Sequence, residues 1–146
     1  MWDLDAQSCL QGLLNGHRGP VTEFTWRESL AVSGDRTGIL AFWDINRPEP
    51  VRMTKGHGSA VSKICFASEG DDRVLLTAGL GDGRVNVFDM RTSQLVKAAV
   101  VAKAAINFLD MANHSNGNHI VTGSADHMIK LFDMRAGEGK NLSRVR

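Results

Sequence analysis

Residues 84–90 read RVNVFDM and are followed by Arg91; residues 128–134 read MIKLFDM and are followed by Arg135. Both phrases set Phe-Asp-Met-Arg behind an alternating apolar approach. Allowing Trp for Phe adds AFWDIN at 41–46 and MWDLD at 1–5, so the aromatics fall at Trp2, Trp43, Phe88 and Phe132, at intervals of 41, 45 and 44 residues. Self-similarity at a period of this size marks a repeat architecture, in which each repeat is one supersecondary unit.

Outward from the aromatic, each unit breaks into the same runs. Leu40 and Phe42, Val85 and Val87, and Ile129 and Leu131 stand three and one residues before it. That spacing has period two, which fits a strand and not a helix. Gly34, Gly79 and Gly123 each stand nine residues before it. They follow LAVS, VLLTA and HIVT, and before those come VTEFTW, VSKICF and INFLDM, all β-branched or apolar runs of strand length. Beyond the aromatic, the breaks NRPEP, RTSQ and RAGEG lead to PVRM, LVKAAVV and NLSRV. Gly, Pro, Asn and Ser are the residues that tight turns require. The pattern predicts four antiparallel strands per unit, a to d, with no room for a helix.

Gly16-His17, Ser33-Gly34 and Trp43-Asp44 in the first unit, Gly56-His57, Asp82 and Phe88-Asp89 in the second, and Thr122-Gly123, Asp126 and Phe132-Asp133 in the third resemble the WD-repeat β-propeller family. The resemblance covers essentially all 146 residues. It implies an all-β fold, a partial β-propeller of about three four-stranded antiparallel blades at 15–54, 55–100 and 101–146. Residues 1–14 then supply the end of a strand c, where Met1–Leu4 matches Phe42–Ile45, and an extra N-terminal outer strand, SCLQGLL. The family also implies a structural hydrogen-bond relay: an Asp of the b–c turn and a strand-b Ser or Thr hold a His, and a Trp indole N–H joins them. The matching positions are His17, Ser33, Trp43, His57, Asp82, Thr122 and Asp126. Each unit departs from the pattern: Thr37 stands at the expected Asp position in the first, Ala78 and Phe88 replace relay members in the second, and Ala102 and Phe132 do so in the third. Phe fills the volume of Trp but carries no donor.

A four-stranded blade is apolar on both faces and cannot bury them alone; propellers stack four to eight blades into a ring. The outer faces are therefore expected to meet the remaining blades of a longer propeller, of which this chain is an excerpt. Neighbouring subunits of an assembly are a second account. A second copy closing the ring is disfavoured, because each N-terminal strand would compete with the partner's NLSRV for one edge.

The composition is that of an ordinary globular protein, with 42% hydrophobic and 23% charged residues. A net charge of +1 disfavours nucleic acid or a membrane surface as partner. No apolar stretch approaches the roughly 18 residues that cross a bilayer. MWDLDAQSC carries two Asp and no basic region, unlike a secretory leader. An intracellular site, cytoplasmic or nuclear, is expected. Cys9 and Cys65 lack metal spacing and read as buried thiols of a reducing compartment. The sequons NHS at 113–115 and NLS at 141–143 then read as incidental.

No motif assigns a catalyst. GLGDG at 79–83 precedes a period-two run and reads as a hairpin turn, not a phosphate loop followed by a helix. GHGSA at 56–60 lacks the spacing of a nucleophile elbow. His114 and His119 flank the polar turn SNGN, a solvated loop rather than a metal site. Asp44, Asp89 and Asp133 recur with the period, as architecture does. No cluster unites nucleophile, base and oxyanion donors, so no enzyme, cofactor or metal is expected.

Met-Arg after Phe-Asp is not required by the fold, since Ile45-Asn46 fills the same slots. In a subset of the family, Trp-Asp-x-Arg marks propellers that dock on the adaptor of a cullin-RING ubiquitin ligase; Arg91 and Arg135 are the matching residues, against the alternative of simple turn capping. The d–a and b–c loops contribute Arg18, Arg36, Lys55, Arg84, Lys103 and His127, a basic rim suited to an acidic peptide or protein segment. The leading expectation is a non-catalytic scaffold for protein–protein contacts. The alternatives are a ubiquitin-ligase substrate receptor, a structural subunit of a large assembly, and a weak nucleic-acid binder using the rim.

Overall fold

The computed structural model describes all residues except 1, 4–7, 10–11, 13–14, 69–70, 113–118, 134–140 and 146. Among the described residues there are strands and turns and no helix. A short pair, β1 (Trp2–Asp3) and β2 (Ser8–Cys9), precedes three four-stranded antiparallel sheets. The first holds β3 (Val21–Arg27), β4 (Leu30–Asp35), β5 (Ile39–Asp44) and β6 (Arg52–Lys55). The second holds β7 (Val61–Ser68), β8 (Asp71–Gly79), β9 (Arg84–Asp89) and β10 (Gln94–Val100). The third holds β11 (Ile106–Ala112), β12 (His119–Ser124), β13 (Ile129–Asp133) and β14 (Asn141–Val145). In each sheet the strands pair in chain order, as the blades of a propeller do. The N-terminal pair has the register of a c–d hairpin: Trp2 faces Cys9 and Asp3 faces Ser8, as Phe88 faces Leu95 and Asp89 faces Gln94.

Blades join by apolar faces. Val32, Leu40 and Phe42 of the first blade pack with Val61, Ile64, Phe66, Leu75 and Phe88 of the second. Leu76, Ala78 and Val85 of the second pack with Ile106, Leu109, Met111 and Ile120 of the third. Each large side chain buried this way contributes about 1.5–3 kcal/mol, so the joints are a large favourable contribution to stability. Polar links tie the first joint. The Thr22 hydroxyl donates to the Val61 carbonyl at 2.7 Å, Lys63 pairs with Glu23 at 3.2 Å, and Arg52 donates to the Thr92 carbonyl at 2.8 Å.

Strand pairing corrects one reading of the sequence. Ser33 faces Ala41, Thr77 faces Asn86 and Thr122 faces Lys130, and each of those partners stands two residues before its aromatic. Thr77, and not Ala78, is therefore the counterpart of Ser33. The b–c link of the second blade is one residue longer, which equal glycine spacing conceals. Gly34 and Gly123 face Leu40 and Ile129 in their ladders, whereas Gly79 lies where its blade enters the turn.

Candidate interaction surfaces and the relay behind them

The d–a loops and b–c turns lie together at one end of the blades. In each blade a turn residue donates its N–H to the residue just before strand a: Arg36 to Pro20, Leu80 to Ala60 and Ala125 to Ala105. Arg18, Arg36, Lys55, Arg84, Lys103 and His127 are all exposed at this end. His127 sits in the left-handed region at φ 63°, which His adopts more readily than most residues.

Behind the first loop lies a complete relay. The carboxylate can only accept, so His17 Nδ1–H donates to Asp35 at 2.9 Å. The Ser33 hydroxyl then donates to His17 Nε2 at 2.7 Å and accepts the Trp43 indole N–H at 2.8 Å. A neutral imidazole satisfies every atom in the chain. Asp35, not Thr37, supplies the carboxylate; Thr37 donates to it through both its N–H and its hydroxyl. Burial pushes the Asp35 carboxyl up, but donors from Thr37, His17 and the Ile39 N–H outweigh it and leave the pKa lowered. The legible signal was GDRT at 34–37, an acid directly after the strand-b glycine.

The second blade builds the relay without the indole. His57 Nδ1 bonds Asp82 at 3.0 Å, and Thr77 donates to His57 Nε2 at 2.8 Å. Burial lowers the His57 pKa against the pull of Asp82, so the ring is neutral. Gly79 makes the approach possible, since a Cβ there would lie 2.1 Å from the Asp82 carboxylate and 2.6 Å from His57. Gly83 ends the turn at φ 62°, and its carbonyl receives the N–H groups of Val101 and Ala102.

The third blade does not join Thr122 and Asp126. Thr122 is buried and its hydroxyl has no partner among the described residues. Asp126 accepts from the Ser124 hydroxyl, the Met128 N–H and Lys130, and the Ser124 and Lys130 bonds lower its pKa to about 2. Lys130 also donates to the Val101 carbonyl at 2.9 Å, just before Ala102 in the histidine slot. Asn86 of the second blade occupies the same sheet position and likewise donates to the carbonyl before the histidine, that of Gly56. Neither Lys130 nor Asn86 was singled out from sequence, because both sit inside apolar runs.

The strand-a triplets differ sharply. Val61, Ile64 and Phe66 are at most 8% exposed, as are Ile106, Leu109 and Met111. Their first-blade counterparts Val21, Phe24 and Trp26 are 54, 48 and 57% exposed. Gly16, His17, Val21, Phe24, Ser33 and Trp43 line a groove of about 410 Å³ on this flank. At the other flank Phe108 and Ile129 are 50 and 54% exposed.

Arg91 is exposed at the opposite end of the blades, where its N–H and that of Thr92 cap the turn on Asp89. Asp44 caps the equivalent turn through Asn46. Arg135 and His114 lie outside the described residues. Burial pushes the Cys65 thiol up to about 12, which makes it inert. Among the described residues no group of His, Cys, Asp and Glu could hold a metal. No helix among them is long and apolar enough to cross a membrane.

The profile of the WD domain, G-beta repeat family matches residues 48–89 and 102–133. The chain belongs to the WD-repeat family. The WD match at 48–89 starts in the turn before the outer strand of one blade and ends in strand c of the next. The WD-repeat family is a family of protein-binding modules and is generally non-catalytic. The chain is 28% identical over 138 residues to a pre-mRNA-splicing factor, cwf17, of Schizosaccharomyces pombe, covering 92% of this chain and 39% of that protein. It is 21% identical over 132 residues to the WD repeat-containing protein JIP5 of Cryptococcus neoformans, covering 90% of this chain and 34% of that protein. It thus spans about two fifths or less of these relatives' lengths. A chain in the crystal structure of a mitotic checkpoint complex superposes with a TM-score of 0.84 at 22% identity, over 99% of this chain and 43% of that one. The computationally designed Ika4 protein superposes with a TM-score of 0.75 at 29% identity, over 91% of this chain and 78% of that one.

Proposed function

We propose that this chain is a non-catalytic scaffold whose basic rim takes an acidic segment of a partner protein, while further blades of the same kind cover its two bare flanks. The observation that carries the reading is the exposure of Arg18, Arg36, Lys55, Arg84, Lys103 and His127 on one set of loops, with the nearby carboxylates of Asp35, Asp82 and Asp126 engaged within those loops. Asp35 and Asp82 offset part of this charge, and the excess of exposed cations on a rigid frame favours an acidic partner and speeds its approach. The names of similar proteins, a pre-mRNA-splicing factor and a U3 small nucleolar RNA-associated protein homolog among them, support a nuclear setting.

Reversing Arg18, Arg36 and Arg84 together to Glu tests the rim, since all three side chains are exposed. A fluorescent oligo-glutamate peptide should bind the parent more tightly by about tenfold or more at low salt, with the difference shrinking as salt rises. Equal binding by the parent and the triple variant would refute the reading.

A further inference from the structure

We infer that β10 is a self-pairing edge, through which the middle blades of two copies of this chain join antiparallel about a two-fold axis. The second sheet ends at β10, and among the described residues no strand lies beyond it. Such an edge presents a row of main-chain donors and acceptors. The ladder says which ones. The Val101 N–H donates to the Gly83 carbonyl at 2.9 Å, so Val101 faces β9. Alternation along an antiparallel strand then turns Ala99 toward β9, and Ala98 and Val100 away from it.

Sheets ordinarily guard their edges with short strands, charges and bulges. The outer strand of the first blade follows that rule. β6 has four residues, and because the Gly56 N–H donates to Gly38, the positions turned outward are Met53 and the exposed cation Lys55. β10 has seven residues, its outward positions are Ala98 and Val100, and its one charged residue is Lys97. Leu95, Val96 and Val100 are 52, 67 and 67% exposed. A bulge at Val96 interrupts pairing there and leaves Lys97–Val100 regular.

The occupant is a second copy because the edge complements itself. A two-fold axis at Ala99 sets Ala98 of one chain opposite Val100 of the other, twice over, and each such pair exchanges both main-chain bonds. The same register sets Lys97 opposite Val101, so the cation of one strand does not face the cation of the other. The new strand continues the existing sheet order, and the contact is independent of the rim.

Sedimentation of the 146-residue chain between about 10 μM and 1 mM should show a reversible dimer, weak as small interfaces are. Amide exchange should slow with concentration at Ala98 and Val100 and stay slow throughout at Ala99. Ala98→Pro removes an outward N–H that no ladder bond uses, and should abolish the dimer with little change in Tm. Should that variant fold poorly, Val100→Lys at an exposed position carries the test, weakening association by about tenfold. Trp26→Lys on the first-blade flank should leave the dimer intact. A monomer across the whole range would overturn the proposal. So would association that survives both β10 variants and is lost in Trp26→Lys.

Discussion

The second and third blades solve the same problem with opposite chemistry. Each must pin a d–a loop across the end of its sheet. The second does so with His57, a neutral ring held between Thr77 and Asp82. The third has Ala102 there and keeps only the reach from strand c, which Asn86 also makes to Gly56 in the second blade; here Lys130 bridges the Val101 carbonyl and Asp126. The lysine keeps the loop in place but leaves Thr122, the counterpart of Thr77, as a buried hydroxyl without a partner among the described residues. A loop can thus be anchored from either side, but only the histidine arrangement also satisfies the strand-b hydroxyl.

His57→Ala should break the contrast most severely. It strands Thr77 and opens space against the first blade, at a cost of about 3 kcal/mol in chemical denaturation. A loss below that of an ordinary surface substitution would mean the loop is held by its backbone bonds alone. Thr77→Val and Thr122→Val should move stability in opposite directions. The first loses a bond to a buried ring, about 2 kcal/mol; the second removes an unsatisfied hydroxyl and should be neutral or stabilising. Equal losses at both sites would show that Thr122 is satisfied after all. The smallest loss is expected of Trp43→Phe, which gives the first blade the second blade's arrangement. Ser33 still donates to His17, so about 1 kcal/mol is expected from melting curves.

Much of the fold was legible because β-blades write their core as a period-two approach to an aromatic-acid pair, and AFWD, NVFD and KLFD keep that approach intact. The relay was less so. Counting back from Trp43 set Thr37 in the acidic slot, whereas the carboxylate comes from Asp35, at the first position of a shorter turn. The same count hid Thr77 behind Ala78, because one additional residue in the second b–c link offsets strand b against strand c. Residue spacing along the chain measures contour, while the relay depends on which atoms the turn brings within hydrogen-bonding reach. Lys130 illustrates the limit: a lysine between Ile129 and Leu131 reads as a solvated strand residue, yet it is 8% exposed. The exposed triplet of Val21, Phe24 and Trp26 is indistinguishable in sequence from its buried counterparts, since exposure depends on what lies alongside.

Phe88, the strand-c aromatic beside the His57 clasp, packs in one cluster with Val32, Leu40 and Phe42 of the blade before it. This fixes a direction. During synthesis, as the polypeptide leaves the ribosome, the second blade meets on this face a neighbour already made.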